Sequence, residues 1–267
     1  MENDGRILED GFNELFELPP SAPVATPTKS SASVPSTQNG HLRLTSGAAD
    51  VGFACLIADK HSRRSKYMQA LALNLPCLSD RWIEDCVARG QILDWEIYLL
   101  PAGESIYLNG ATKSRFLTPY PATEARLSET IAGRPNLLNG QSVLLVTGRS
   151  GRADEEKRKA YLFLTYALGA SRIERVPDLK SARAILSATQ TDCTSWNWIY
   201  VDDDDRASSA KAMALGSSSS TAGSRKRKRS KLMESVDSNE LGVNSNVKIV
   251  GNEFLCQSLI LGKLFDQ

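Results

Sequence analysis

The sequence has few of the residues from which metal and disulfide sites are built. Its 267 residues include two histidines and five cysteines, and the cysteines are dispersed, odd in number and never spaced as Cys-x-x-Cys. Zinc and redox motifs use closely spaced ligand pairs. We therefore predict no metal site and no disulfide framework. We interpret the cysteines as reduced side chains that pack as small hydrophobes: Cys55, Cys77, Cys86, Cys193 and Cys256.

Long apolar runs and a strong charge of either sign are also lacking. No stretch approaches the ~20 apolar residues that span a bilayer, and residues 1–6 hold no signal-peptide core. These absences predict a reducing intracellular compartment and no membrane partner. A net charge of +1 argues against non-specific nucleic-acid binding by the chain as a whole.

An ordinary globular composition, 41% hydrophobic and 24% charged, is arranged in two units of a usual domain size. In the first unit, the apolar run at residues 53–59 predicts a buried parallel strand, followed by an amphipathic helix that stops at Pro76. Residues 77–79 predict another strand. A second helix follows, with Asp80 as its cap and Gly90 at its end.

The second unit repeats this alternation of strands and helices. We predict strands at 142–147, 171–176, 196–202 and 247–250, and helices at 154–168, 181–188, 207–215 and 253–264. This alternation indicates an α/β fold in which parallel sheets are covered on both faces. Four strands are predicted in this unit but only three in the first, including a short one at residues 5–12.

Several short segments carry a resemblance to a known family. They are Ile-Ala-Asp at 57–59, Arg-Arg-Ser-Lys-Tyr at 63–67, Pro-Cys-Leu-Ser-Asp-Arg-Trp at 76–82 and Tyr-Leu-Leu-Pro-Ala-Gly at 98–103. Together they resemble the first BRCT repeat of the checkpoint mediators, which include a vertebrate tumour-suppressor-binding mediator and yeast adaptors. Residues 140–265 match a second repeat by pattern. The resemblance implies two BRCT repeats, each a small four-stranded parallel sheet flanked by helices.

By this resemblance the chain is the carboxy-terminal part of a mediator whose first repeat lacks its opening strand and helix. The expected divisions are a remnant of that repeat with its second strand (1–18), a disordered Pro/Ser/Thr-rich insertion (19–50), the rest of the first repeat (51–104), a linker (105–138), and the second repeat with a disordered basic insertion at 216–246 (139–267).

The resemblance also implies a binding site. Members of the family bind phosphoserine peptides, including a phosphorylated histone tail at DNA breaks, and Lys66 matches their phosphate-binding lysine. Arg63 or Arg64 is placed to meet an acidic or carboxylate end of the peptide, because a guanidinium fork binds two oxygens. The pocket's hydroxyl and glycine would come from the absent opening segment. Trp82 and, in the second repeat, Phe254 match core packing positions.

Taken alone, the cluster of Arg63, Arg64 and Lys66 has a simpler interpretation as a solvated helix start. However, cations at a helix amino terminus oppose the helix dipole, which favours an anionic partner there. Thr147 and Gly148 follow a strand and form a candidate for a second, weaker phosphate pocket. An ordinary strand-to-helix turn explains them as well.

A basic run lies in the Ser-rich insertion and is predicted to be a nuclear localisation signal, with a DNA-backbone contact or a solubilising loop as alternatives. It consists of Arg225, Lys226, Arg227, Lys228 and Arg229. The acidic residues 202–205 are most simply a strand end and helix cap, with weak cation binding as the alternative.

We expect a nuclear adaptor that is not an enzyme and uses no cofactor or small-molecule substrate. Its expected partner is a phosphorylated histone tail or a phosphorylated checkpoint protein. The alternative is an interaction or homodimerisation module that does not bind phosphate. A nucleotide enzyme is disfavoured because neither a Walker motif nor a Gly-x-Gly-x-x-Gly turn is present. Neither His41 nor His61 has a base, nucleophile or metal ligand at a sequence spacing typical of a catalytic site.

Overall fold

The computed structural model of the chain describes residues 5–18, 42–146, 152–188, 196–201 and 247–265. Side chains are described in these ranges except at residues 152–158, 187 and 188. None of the described helices is long and apolar enough to cross a membrane.

The first described segment does not form the strand predicted at residues 5–12. Residues 5–10 have no regular structure, and a 3-10 helix, Phe12–Leu15, follows. Phe12 and Leu15 are both buried, and their i, i+3 spacing buries one side of a helix rather than one face of a strand. The strand prediction for residues 5–12 was therefore wrong.

A short antiparallel pair follows this helix: β1 (Phe16–Glu17) and β2 (Arg43–Leu44). The disorder predicted for residues 19–50 was wrong for the last part of that range, which contains β2 and a 3-10 helix at Ser46–Ala48. Leu42 and Ala48 are buried, which offsets the entropy lost on ordering this part of the chain. Residues 19–41 lie outside the described ranges.

The first unit continues with four elements in the predicted order: β3 (Leu56–Ala58), α1 (Ser65–Ala72), β4 (Cys77–Ser79) and α2 (Arg81–Arg89). β3 and β4 are parallel, with Leu56 opposite Cys77. The Asp80 carboxylate accepts a hydrogen bond from the amide of Arg81, and Gly90 ends α2 in the left-handed conformation. In the described part of the chain this sheet has two strands, where we predicted three.

The predicted linker at residues 105–138 contains regular structure. A hairpin pairs β5 (Gly103–Glu104) with β6 (Thr112–Lys113), and α3 (Leu127–Ala132) buries Leu127 and Ile131. The linker is therefore packed against the rest of the molecule along part of its length.

The second unit matches the predicted elements to within three residues at each described end. Its elements are β7 (Ser142–Val146), α4 (Arg152–Ala167), β8 (Arg172–Val176), α5 (Leu179–Ala188), β9 (Trp198–Val201), β10 (Lys248–Val250) and α6 (Asn252–Leu261). The four strands form one parallel sheet in the order β10-β9-β7-β8. This confirms the α/β class and the parallel pairing. The helix predicted at 207–215 and the insertion at 216–246 lie outside the described residues.

The two units pack through α1, which contacts α4 and α6. One core cluster contains side chains of both units, including Tyr67 of α1, Phe163 of α4 and Leu259 of α6. Gly103 approaches Ile260 so closely that a Cβ at residue 103 would lie 3.2 Å from the isoleucine side chain. The contact between the units is thus close-packed and centred on α1.

The two predicted core aromatics lie in different surroundings. Phe254 is buried and its ring centroid lies 5.0 Å from that of Trp198. Trp82 is half-buried, packs on Phe53 and donates from its indole N–H to the carbonyl of Leu93 at 3.0 Å. Both aromatics contribute to packing, but α2 is less completely covered than α6.

Candidate functional site

Lys66 lies in the first turn of α1 with its side chain exposed. Its Nζ donates a hydrogen bond of 2.8 Å to the carbonyl of Glu9. The aliphatic part of the side chain crosses Gly11, where an added Cβ would lie 3.2 Å from Lys66 Cε. The ammonium group is therefore held at the surface by a backbone segment that comes from far away in sequence.

That backbone segment is itself fixed by Glu14. The Glu14 carboxylate accepts the amide N–H of Asp10 at 2.7 Å and lies 3.2 Å from the guanidinium of Arg6. Gly11 has φ +81° and ψ −160°, a combination that essentially only glycine adopts. The sequence offered one signal for this arrangement, the glycine of Asp-Gly-Phe at 10–12, and our prediction of a strand there missed it.

Arg63 forms a bidentate ion pair with Glu253 of α6. Its Nη1 and Nη2 lie 2.7 and 3.0 Å from the two carboxylate oxygens, a geometry in which the two planar groups match. Glu253 also accepts from Gln257 Nε2 at 2.8 Å. Arg63 belongs to the first unit and Glu253 to the second, so this pair lies across the junction of the units.

The same junction contains a buried hydrogen bond below the ion pair. Ser105 Oγ donates to Gln257 Oε1 at 2.7 Å, and both residues are fully buried. Arg63, Glu253, Gln257 and Ser105 thus form one chain of polar contacts from the surface into the interface. Sequence reasoning found Arg63 but none of its partners, because the ion pair joins residues 190 positions apart.

These contacts change the pKa of both ionised groups. Burial raises the pKa of Glu253, but the hydrogen bonds from Arg63 and Gln257 outweigh it, so the pKa lies below its ordinary value. The hydrogen bond to Glu253 raises the pKa of Arg63 above its ordinary value. Each group stabilises the charged form of the other, and the pair is ionised at neutral pH.

Arg64 occupies the position before α1 and is exposed. Its carbonyl accepts the amides of Tyr67 and Met68. Within the described residues, the amides of Ser65 and Lys66 have no hydrogen-bond partner, as is usual in the first turn of a helix. Free amides, the positive end of the helix dipole and nearby cations together favour binding of an anion such as a phosphate.

The remaining candidates cannot be placed. Thr147, Gly148, the basic run at 225–229 and the acidic residues at 202–205 all lie outside the described residues. His61 is described and its Nε2 lies 3.7 Å from a carboxylate oxygen of Glu104. Among the described residues, no group of three or more His, Cys, Asp or Glu side chains could hold a metal ion.

Two curated relatives share sequence with a large part of this chain. The DNA repair protein crb2 of Schizosaccharomyces pombe is 26% identical over 178 residues, covering 64% of this chain and 21% of crb2. The DNA repair protein RAD9 of Saccharomyces cerevisiae is 32% identical over 162 residues, covering 55% of this chain and 12% of RAD9. These similarities support the predicted resemblance to the tandem-BRCT checkpoint mediators.

The chain spans about one fifth of the length of crb2 and about one eighth of that of RAD9. A solved structure of the BRCT5-BRCT6 domains of S. pombe Brc1 is 19% identical, with a TM-score of 0.36, and the match covers 57% of this chain and 62% of that one. No family model matches the sequence. The predicted repeats, residues 51–104 and 139–267, are called repeat one and repeat two.

Proposed function

We propose that this chain is a non-enzymatic adaptor of the DNA-damage response that acts in the nucleus and binds phosphorylated protein tails. The binding surface is the amino-terminal end of α1, with Lys66 as the main phosphate ligand. The partner is a phosphorylated histone tail or a phosphorylated checkpoint protein. The observation that carries the proposal is the exposed Lys66 ammonium group in the first turn of α1, next to the amides of Ser65 and Lys66 that have no partner within the described residues.

The chemistry of this surface suits a phosphate dianion. Lys66 supplies an exposed cation, and the amides of Ser65 and Lys66 supply donors that are not used within the described residues. Charge-assisted hydrogen bonds of this kind are about twice as strong as neutral ones. No acidic side chain lies in the first turn of α1 to compete with the phosphate.

Arg63 suits the carboxylate end of a peptide. The ion pair with Glu253 uses one donor on each Nη atom and leaves the other N–H donors of the guanidinium for a ligand. A side chain already fixed in this way loses less entropy on binding. Arg64 is exposed at the same helix end and adds a second guanidinium for acidic residues of the peptide.

Binding of synthetic peptides tests the proposal directly. A fluorescent ten-residue phosphoserine peptide with a free carboxylate end should bind, and the unphosphorylated peptide should bind at least tenfold more weakly. The same phosphopeptide with an amidated end tests the contact between Arg63 and the peptide carboxylate. Amidation should lower the affinity of the native chain, and it should lower that of Arg63→Gln by a smaller factor. Equal binding of the phosphorylated and unphosphorylated peptides would refute phosphate recognition.

A second candidate is an interaction or dimerisation module without phosphate binding. The observation that favours it is a group of exposed apolar side chains near the β5–β6 hairpin: Ile106, Leu108 and Phe116, the last of which is 97% exposed. Sedimentation equilibrium would show a dimer that dissociates in Phe116→Ser, and phosphatase treatment would leave partner binding unchanged.

A further inference from the structure

A cleft of about 450 Å³ lies along α2 in repeat one. One wall is the helix face that carries Arg81, Asp85 and Arg89, which share a side because they are four residues apart. The other wall is the segment at residues 97–100. None of these residues belongs to the candidate site at the amino-terminal end of α1, so the cleft is a second feature of the surface.

The segment at 97–100 is attached to the sheet. Leu99 forms an antiparallel bridge with Leu78 of β4, and the amide of Leu100 donates to the carbonyl of Cys77 at 2.8 Å. The strand β3 pairs with the other edge of β4. The wall opposite α2 is therefore held by backbone contacts, and the cleft has a defined width.

Two cations in the cleft have no ionic partner among the described residues. Arg81 and Arg89 are both exposed, and no described carboxylate lies within ion-pair distance of either guanidinium group. Asp85 is four residues from each arginine, a spacing that favours a helix ion pair. Its carboxylate instead accepts a hydrogen bond of 2.6 Å from the Tyr98 hydroxyl. Both guanidinium groups are thus available to an anionic ligand.

The spacing of the two arginines matches that of side chains on an extended peptide. Arg81 and Arg89 are eight residues apart, which corresponds to about 12 Å along a helix axis. In an extended chain, residues i and i+4 lie about 13 Å apart and point to the same side. Each guanidinium fork can bind one carboxylate through two hydrogen bonds. Two acidic residues four positions apart therefore reach both arginines at once.

The same cleft offers an apolar contact. Ile97 lines it and is 85% exposed. One exposed isoleucine is common on a protein surface, but this one shares a cleft with two unpaired cations. Its neighbour Tyr98 contacts Asp85, which lies midway between the arginines. Residue i+2 of an extended peptide points to the same side as i and i+4, so an apolar residue there would face Ile97.

We propose that the cleft between α2 and residues 97–100 binds an extended acidic segment of a partner protein. The segment has two carboxylates four residues apart and an apolar residue midway between them, as in Glu-x-Leu-x-Glu. The carboxylates pair with Arg81 and Arg89, and the apolar side chain covers Ile97. This site needs no phosphate and does not involve Lys66.

A nucleic acid fits the cleft less well than an acidic peptide. Affinity for a phosphate backbone grows with the number of phosphates that the protein neutralises, and the described lining supplies two arginines and one carboxylate. A phosphate backbone also offers no apolar side chain to cover Ile97.

Fluorescence anisotropy of the 267-residue chain with a labelled ten-residue peptide tests the proposal. The peptide contains Glu-x-Leu-x-Glu, with serine and glycine elsewhere. The native chain should bind it, and the double variant Arg81→Gln, Arg89→Gln should bind it roughly tenfold more weakly. Arg126→Gln is the matched control, because Arg126 is exposed and lies before α3, outside the cleft.

The apolar contact has its own variants. Ile97→Ser should weaken binding about threefold, whereas Ile7→Ser should not change it, since Ile7 is 76% exposed and lies outside the cleft. Moving the leucine by one position, to Glu-Leu-x-x-Glu, turns it to the opposite side of an extended peptide and should weaken binding by a similar factor. All these side chains of the protein are exposed, so the variants should keep the native Tm.

Three outcomes would overturn the proposal. The first is equal binding of the peptide by the native chain and by the double arginine variant. The second is loss of binding in Lys66→Met, which would assign the acidic peptide to the end of α1. The third is displacement of the peptide by an equal concentration of single-stranded oligonucleotide, which would assign the cleft to nucleic acid. Unchanged binding in Lys66→Met would support a site that is independent of phosphate recognition.

Discussion

Lys66 presents its charge at the surface because a single glycine makes room for its side chain. The methylene groups cross Gly11, and the ammonium group ends at the carbonyl of Glu9, 2.8 Å away. Both contacts come from a segment about 55 residues earlier in the chain. A phosphate that displaces the Glu9 carbonyl from Lys66 Nζ, or accepts a hydrogen bond from Nζ beside it, would meet a lysine that is already extended. Less entropy would then be lost on binding.

Gly11→Ala should weaken both the fold and phosphopeptide binding. A Cβ at residue 11 would lie 3.2 Å from Lys66 Cε, and the backbone at φ +81° disfavours any side chain. We expect a loss of about 1–3 kcal/mol in the free energy of unfolding, measured by urea denaturation. Affinity for the phosphopeptide should fall under conditions in which the variant remains folded.

Gly47→Ala is the matched control for this substitution. No atom lies within 4 Å of the position of a Cβ at residue 47, and its φ is not positive. It should leave stability and binding nearly unchanged. Equal effects of the two substitutions would contradict the role given to Gly11.

The ion pair between Arg63 and Glu253 should make stability depend on pH. The pKa of Glu253 is lower in the folded chain than its ordinary value, so the contact stabilises the fold above the ordinary pKa of about 4.3. The stabilisation is lost as the pH falls through the lowered pKa. Glu253→Gln should therefore lower the Tm at pH 7, and the difference from the native chain should shrink below pH ~4.

Glu129→Gln serves as the control for that pH series, since Glu129 is an exposed carboxylate on α3. Its Tm should follow the native curve throughout. A Glu253→Gln difference that persists unchanged at low pH would show that the contact does not act through the carboxylate charge.

At the scale of the elements, α1 combines two roles. Its amino-terminal end carries the candidate site, and its buried face, which includes Tyr67 and Ala70, packs against repeat two. The carboxy-terminal end is fixed by Arg115, whose guanidinium donates to the carbonyls of Ala70 and Leu75 and contacts Cys77 Sγ at 3.5 Å. Burial lowers the pKa of Arg115. The helix that carries Lys66 is therefore anchored at its carboxy-terminal end.

The end of α4 should be more sensitive to substitution than the end of α6. Gly169 and Gly262 follow these helices at φ +78° and +69°. A Cβ at residue 169 would lie 2.7 Å from Asn136 Oδ1, whereas nothing lies within 4 Å of one at residue 262. Gly262→Ala should cost about 1 kcal/mol, and Gly169→Ala about 1–3 kcal/mol more because of overpacking.

Thermal and urea denaturation of the two variants would check this difference. Since both glycines have a similar positive φ, the comparison tests mainly the contact with Asn136. Equal destabilisation would show that the linker moves away from Gly169 without cost.

The elements that could be predicted from the sequence are those with long periodic patterns. The apolar runs at 142–147 and 196–202 and the helix ending at Gly169 correspond to β7, β9 and α4. The short run at 5–12 was assigned wrongly because a few apolar residues do not distinguish a strand from a 3-10 turn. The resemblance supplied Lys66 and Arg63 as candidates. Glu9, Glu253 and Gln257 could not be predicted because folding alone brings them to α1.

For the molecule as a whole, the candidate site depends on both repeats. Repeat one contributes Lys66 and Arg63, and repeat two contributes Glu253, which fixes Arg63. The buried hydrogen bond between Ser105 and Gln257 and the contact of Gly103 with Ile260 hold the repeats in one arrangement. In the proposed complex, the affinity for a tail that contacts both Lys66 and Arg63 would depend on the relative position of the repeats as well as on the phosphate.

The most direct test of this account is the coupling between Lys66 and the phosphate group of a bound peptide. Isothermal titration with phosphorylated and unphosphorylated forms of one peptide gives the affinity ratio in the native chain, in Lys66→Met and in Lys263→Met. Lys263 is an exposed lysine beyond α6 and serves as the matched control. We predict that Lys66→Met reduces the ratio at least tenfold while Lys263→Met leaves it unchanged. An unchanged ratio in Lys66→Met would contradict the assignment of this lysine as the phosphate ligand.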